Sequence, residues 1–420
     1  MDILHITSLL IVLAAAFGAV NHLVFKLPSA IGILVVALLA SVCLMAIDLL
    51  VPDFGITDTV RAAVLEIEFS DALLEGMLGL LLFAGALHVK TSDLAKHWRV
   101  ILLMATLGVG LSTVIAGVGF SWITGAPILV ALVFGALISP TDPVAVLGVL
   151  REASLTKSLE TKIAGESLFN DGVGYVVFLV LVGIAYPYAA GHGGEEEGGV
   201  LANAAILFFQ EAVGGAALGL ILGWLTFRVM RRIDDYGTEI MLTLALAFGG
   251  YTLAIWLHLS GPIMAVCAGL LIGDIGSRDG MSEEVRAYVD KFWHIIDEIL
   301  NAILFLLIGI EVFAVTFSTD YLLAGLASIV LSLLARTAAV LVPVTILRPF
   351  REFEKGTSRI MIWGGLKGGI SVALALSIPD SEWKPMILTA TYIVVLFSII
   401  VQGLTVARLA SRLGREPEMV

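Results

Sequence analysis

Apolar runs of about twenty residues recur from one end of this chain to the other, and no other feature restricts its fold so tightly. Wound as a helix, a run of that length spans the roughly 30 Å hydrocarbon core of a bilayer. The runs are continuous rather than alternating in polarity, so they read as spanning helices and not as strands of a β-barrel. Charged residues make up only 14% of the chain, against about 25% in soluble domains. The expected fold class is therefore all-α polytopic membrane protein, a single membrane domain over residues 1–420.

Hydropathy predicts thirteen spans, over residues 4–25, 28–50, 71–89, 100–120, 126–150, 163–187, 203–227, 238–258, 261–273, 293–316, 322–346, 360–379 and 386–407. No basic residue precedes the first run (MDILHITSLL), which is expected to be a retained span and not a cleaved signal peptide. Basic residues test the count. With the first loop taken as cytoplasmic, alternate loops and the tail collect twenty of the 24 lysines and arginines on one side, from Lys26 through Arg151, Arg278, Arg351 and Lys355 to Arg415. The opposite side holds Arg61 and Lys384, against acids that include Glu195, Glu196 and Glu197. A miscounted span would break this alternation, so the expected topology has the N-terminus outside and the C-terminus cytoplasmic.

A net charge of −12 speaks against nucleic acid as a partner. Cys43 and Cys267 fall inside apolar runs and are expected to be buried thiols without a disulfide or metal role. The glycine- and glutamate-rich stretch 189–199 reads as a solvated outer connector. Trp98, Trp224 and Trp256 read as anchors at the membrane interface, and Glu311, Asp48 and His88, near span ends, as interfacial.

Two spans carry helix-breaking sequences. The fifth is interrupted by Ser139-Pro140-Thr141-Asp142-Pro143 and the twelfth by Gly364-Gly365-Leu366-Lys367-Gly368-Gly369. They lie seven spans apart, and an odd offset places them in opposite orientation. Broken helices in matching positions of two inverted halves point to the binding site of a transporter. Spans 1–6 and 8–13 then form the halves, and span 7 connects them.

Charge at bilayer depth is costly, so each instance calls for a partner or a role. Asp142 and Lys367 sit at the two breaks, where each can compensate the dipole of a half-helix. Asp142 can also order water beside an ion. Span 6 contains Gly165-Glu166-Ser167-Leu168-Phe169-Asn170-Asp171-Gly172, which sets Ser167 with Asp171 and Glu166 with Asn170 at i, i+4. The first pair offers a hydroxyl and a carboxylate, oxygen ligands that suit a hard cation. The second suits an intramembrane base, and Arg336 in span 11 is the candidate partner of Glu166. Asp171 is thus the candidate transport residue, and Glu166–Arg336 a structural ion pair. Glu75 in span 3 either lines the cation path or sits near the outer interface. Asn301 in span 10 reads as a polar residue packed against the core.

These motifs resemble the NhaP/NHE-type sodium/proton antiporters of the cation:proton antiporter-1 family. The likeness rests on Thr141-Asp142-Pro143, on Gly165 to Gly172, on Arg336, on Asn301 to Glu311, and on Gly364 to Leu376. The resemblance implies an antiporter fold of the NhaA/NhaP type and a homodimer. Its scaffold and dimerisation part would comprise spans 1–3 and 7–10, and its moving core spans 4–6 and 11–13. It places the cation on Asp171, Ser167 and the backbone carbonyl of Thr141, with Asp142 and Asn170 organising the site. An Asn-Asp pair, Asn170-Asp171 here, goes with electroneutral exchange in that family. Lys367 departs from it, since arginine is usual there, and a lysine lacks the bidentate fork. The short tail departs from the animal exchangers and their long regulatory region.

The expected function is exchange of Na⁺, and also Li⁺, for H⁺, with both competing for Asp171, in the cell membrane of a prokaryote and in the service of pH homeostasis. Monovalent cations, protons and the lipid bilayer are the expected partners; no cofactor and no enzyme activity is expected. A K⁺/H⁺ antiporter of the same fold is the nearest alternative. A cation channel and an intramembrane aspartyl protease built on Asp142 and Asp171 come from other classes. The Gly-x-Gly-Asp signature of such proteases is absent.

Overall fold

Inside a bilayer every backbone N–H and C=O must find its partner within the protein, so a chain of apolar runs is driven to helix. The computed structural model describes residues 3–50, 60–61, 64, 69–142, 146, 156–187, 200–276, 280–316, 318–349 and 356–413, and among these there is no strand. Its helices are α1 Ile3–Val20, α2 Ser29–Leu50, α3 Leu78–Leu87, α4 Thr91–Thr124, α5 Ile128–Leu137, α6 Lys157–Ala185 and α7 Val200–Met230. They continue with α8 Tyr236–Trp256, α9 Gly261–Gly276, α10 Glu283–Ile310, α11 Thr319–Leu347, α12 Thr357–Trp363, α13 Gly369–Ser377 and α14 Lys384–Leu413. Among the described residues each expected span contains helix, with α12 and α13 as the two halves of the twelfth. Pro143, the 189–199 connector, Arg151, Arg278, Arg351, Lys355, Arg415 and the side chain of Glu75 lie outside the described residues.

Two helices begin well before the spans that hydropathy marks. α4 begins at Thr91, ahead of the span from 100, and α10 at Glu283, ahead of the span from 293. Charged first turns lower the local hydropathy but favour a helix N-terminus. Ser282 caps α10 by accepting from the Val285 N–H, and Glu283 and Glu284 face the positive end of its dipole. Asp235, Ser260 and Ser318 cap α8, α9 and α11 in the same way. A π-turn, Ala72–Met77, leads into α3, and others lie within α4, α9 and α14. Each adds a residue to one turn and so rotates the face a helix presents beyond it.

Packing in lipid relies on close backbone approach, which small residues permit. Where α4 crosses α5, a Cβ on Gly135 would collide with the Thr113 carbonyl, and one on Gly117 would lie 2.8 Å from Leu132 Cα. One apolar cluster unites α4, α5, α6, α11, α13 and α14 through Phe120, Phe134, Phe178, Ala335, Leu374 and Ile387. A second joins α3, α7, α8, α9 and the first half of α10 through Phe83, Phe227, Tyr251, Met264 and Trp293. A third links α1, α2 and the end of α10 to α12 and α14.

Two expectations about burial are corrected. Cys43 is exposed and Cys267 half-buried. A lipid-facing surface is as apolar as the interior, so position within an apolar run does not by itself imply burial. Glu311, expected near a span end, is buried where α10 ends. Trp98, Trp224 and Trp256 are exposed, with the Arg99 and Arg228 guanidinium groups 5.5 Å from the Trp98 and Trp224 ring centroids.

Candidate functional site

α5 stops at Leu137 and α12 at Trp363, and each stop leaves carbonyls that the next helical turn would have satisfied. In lipid those groups cannot turn to water. The two breaks satisfy each other. Lys367, from the second, donates through Nζ to the Ser139 carbonyl at 2.9 Å and the Pro140 carbonyl at 3.2 Å, at the end of α5. The Asp142 N–H donates to the Leu366 carbonyl at 2.8 Å, and the Lys367 N–H to Ser398 Oγ at 2.8 Å. Lysine can fill the position, because its ammonium carries three donors and reaches both carbonyls.

The end of α12 is met by Arg336 of α11. Its Nε and Nη2 donate to the Met361 carbonyl at 3.1 and 2.9 Å. Its other contacts form the ion pair with Glu166, in which Nη1 meets Oε1 and Nη2 lies 3.0 Å from Oε2. A Cβ on Gly365 would overlap the guanidinium, so glycine there makes the room that Arg336 occupies.

Asn170 closes the first break locally. Its Oδ1 accepts from the Thr141 N–H at 3.2 Å, and its Nδ2 donates to Thr141 Oγ1 at 2.8 Å. Thr141 Oγ1 also hydrogen-bonds Ser167 Oγ at 2.9 Å. One residue further along α6, Asp171 is buried with both carboxylate oxygens lacking a hydrogen-bond partner among the described residues. That is the anomaly of the site, because buried carboxylates are ordinarily satisfied. Asp142 and Lys367 are the charged groups that act on it. Counted with every group ionised, this described cluster has three carboxylates (Asp142, Glu166, Asp171) and two cations (Arg336, Lys367), a formal surplus of one negative charge.

A cavity opens on Asp171, lined also by Asp142, Pro140, Gly368 and Ser371. Leu78, Leu81 and Leu82 of α3 line it too, with Asn301 and Leu304 of α10. Asn301 is thus a cavity residue, a role that sequence reasoning missed. The available signal was Asp297 four residues earlier, which makes a polar stripe on an apolar helix.

The Asp142 carboxylate lies against Gly368, at the N-terminus of α13, where a helix dipole favours negative charge. The backbone of Gly368, φ −122° and ψ −162°, suits any residue, so an added methyl acts only through its collision with that carboxylate. Gly368→Ala is expected to slow transport roughly ten- to a hundred-fold, the effect of about 1 Å of misplacement in a preorganised site. Initial rates in proteoliposomes, set beside thermal unfolding of the same preparation, measure this; a wild-type rate would mean that Asp142 tolerates displacement.

Residues 6–412 match the family model described as "Sodium/hydrogen exchanger, transmembrane". The chain is 44% identical to the Na(+)/H(+) antiporter NhaP of Pseudomonas aeruginosa, over 98% of this chain and 97% of that protein. It is 35% identical to the Na(+)/H(+) antiporter NhaH of Halobacillus aidingensis, over 82% of this chain and 84% of that one. Among solved structures, the sodium proton antiporter MjNhaP1 of Methanocaldococcus jannaschii superposes with a TM-score of 0.70 at 21% identity, covering 92% of this chain and 99% of that one.

Proposed function

Since the chain belongs to the sodium/hydrogen exchanger family and is a multi-pass sodium/proton antiporter, we propose that Asp171 is the single carboxylate at which the two ions compete. The observation that carries this reading is the buried carboxylate of Asp171, which faces a cavity and has no hydrogen-bond partner among the described residues. A carboxylate removed from water needs a counter-charge, and a proton and a sodium ion each supply one. Either neutralises the one surplus negative charge of the cluster, so either loaded form can cross the membrane without net charge. Exchange is therefore one for one and electroneutral.

Sodium is held by Asp171 and Ser167 with the Thr141 carbonyl, all oxygen donors of the kind a hard cation takes. Asn170 and Asp142 fix the break that presents them. Glu166 with Arg336, and Lys367, hold the half-helix ends without touching the ion. The core that carries the site comprises the helices of one apolar cluster, α4–α6, α11, α13 and α14, with α12 between them. It slides against a scaffold of α1–α3 and α7–α10 that also forms a homodimer. Only the loaded core crosses, which couples the two gradients. The excess of basic residues on alternate loops supports an N-terminus outside and a C-terminus in the cytoplasm of a prokaryotic cell membrane.

The test is collapse of an imposed pH gradient in proteoliposomes by Na⁺, Li⁺ or K⁺, with and without a voltage clamp. Saturable sodium-driven proton movement at a rate indifferent to the clamp is the expected result. A rate that follows membrane voltage would refute one-for-one exchange, and proton movement with K⁺ alone would move the assignment to potassium.

A further inference from the structure

The cavity facing Asp171 has two unlike walls. On the α3 and α10 side the described lining residues are Leu78, Leu81, Leu82 and Leu304, with Asn301 as the polar exception. Asn301 is buried, on a stretch of α10 that continues as Leu304-Phe305-Leu306-Leu307-Ile308. An amide at that depth costs free energy unless its groups are used.

Half of the amide is accounted for. Nδ2 donates to the Asp297 carbonyl at 2.7 Å and to Asp297 Oδ1 at 3.0 Å, one turn back along the same helix. Two acceptors on one nitrogen settle which end of the amide is which. The oxygen Oδ1 accepts no hydrogen bond among the described residues, and the residue that bears it lines the cavity with Asp171 and Asp142. We infer that the amide oxygen of Asn301 is a further cation ligand, offered from the scaffold side of the cavity, and that Asp297 is its positioning residue. The inference rests on Asp171 being the cation site.

Asn301 then contributes to cation affinity in the one conformation in which the core lies against α10. A neutral oxygen also leaves the charge balance of the site untouched, so it can tune selectivity without altering stoichiometry. Held by two hydrogen bonds, it sets a fixed distance, which distinguishes ions by radius.

The experiment measures initial exchange rates against Na⁺, Li⁺ and K⁺ concentration in proteoliposomes bearing wild type, Asn301→Ala, Asn301→Asp, Asp297→Ala or Asp171→Asn. Asn301→Ala is expected to raise the sodium KM by roughly tenfold, the worth of one dipole on a charge, with the maximal rate within about twofold of wild type. The ratio of sodium to lithium KM should change with it. Asn301→Asp keeps an oxygen at the position but loses the Nδ2 donor that Asp297 holds, and should bring the sodium KM only part of the way back to the wild-type value. Asp297→Ala should raise KM less than Asn301→Ala, since the residue 297 carbonyl still holds Nδ2. An unchanged KM in Asn301→Ala, or a lowered maximal rate at unchanged KM that Asn301→Asp does not rescue, overturns the inference and leaves Asn301 a packing residue. Saturable exchange by Asp171→Asn would instead overturn the reading of the site on which the inference rests, so the two failures are told apart.

Discussion

Asp171→Asn is expected to reduce sodium-driven proton movement to the level of protein-free liposomes while leaving the protein folded. Both halves of that expectation follow from the carboxylate having no hydrogen-bond partner among the described residues. An asparagine is isosteric but neutral, so nothing remains to be neutralised by a proton, and the anionic ligand that offsets sodium dehydration is gone. Folding is spared because the substitution removes a buried charge without stranding a partner, which is the destabilising half of most such changes. Exchange assays, with size-exclusion profiles and thermal unfolding in detergent as controls, make the measurement. A variant that still exchanges would strip Asp171 of its role; one that is inactive but unfolded would contradict the account of its surroundings.

Arg336→Ala has the opposite signature. Glu166 would be left buried and unpaired, and the Met361 carbonyl at the end of α12 would lose both of its guanidinium donors. Breaking a buried pair by removing one partner costs about 3–5 kcal/mol. The expected result is a large fall in thermal stability and in the yield of monodisperse protein. Replacing both partners, as Glu166→Leu with Arg336→Met, should recover part of the loss, because the stranded charge disappears with its partner. A stable but inactive Arg336→Ala would move this residue from the scaffold into the transport cycle.

Much of this was legible in the sequence, for a physical reason. The bilayer allows essentially one spanning secondary structure to an apolar run, so span number and order follow from hydropathy alone. Proline pairs and glycine clusters break helices wherever they occur, which exposed the breaks at 139–143 and 364–369. Spacing within one helix placed Ser167, Asn170 and Asp171 near one another. What the sequence could not deliver is contact between distant segments. That Lys367 meets the carbonyls of Ser139 and Pro140, that Arg336 reaches Met361 as well as Glu166, and that Asn301 faces the cavity all depend on how helices pack. Burial was illegible for a related reason. Hydropathy separates lipid from water but not lipid from protein interior, and Cys43 was assigned to the wrong one of the latter two.

The mutual satisfaction of the two breaks also orders events on the ribosome. Asn170 follows Thr141 by 29 residues, so the local clamp on the first break can close almost as soon as α6 emerges. Lys367 trails the carbonyls of Ser139 and Pro140 by 228 and 227 residues. At roughly 5–20 residues per second, those carbonyls leave the ribosome about 10–45 seconds before the ammonium group that holds them. Throughout that interval the first half resides in or beside the membrane with polar backbone at bilayer depth. It must be sheltered by the insertion machinery, or by water drawn in around it, until the second half arrives.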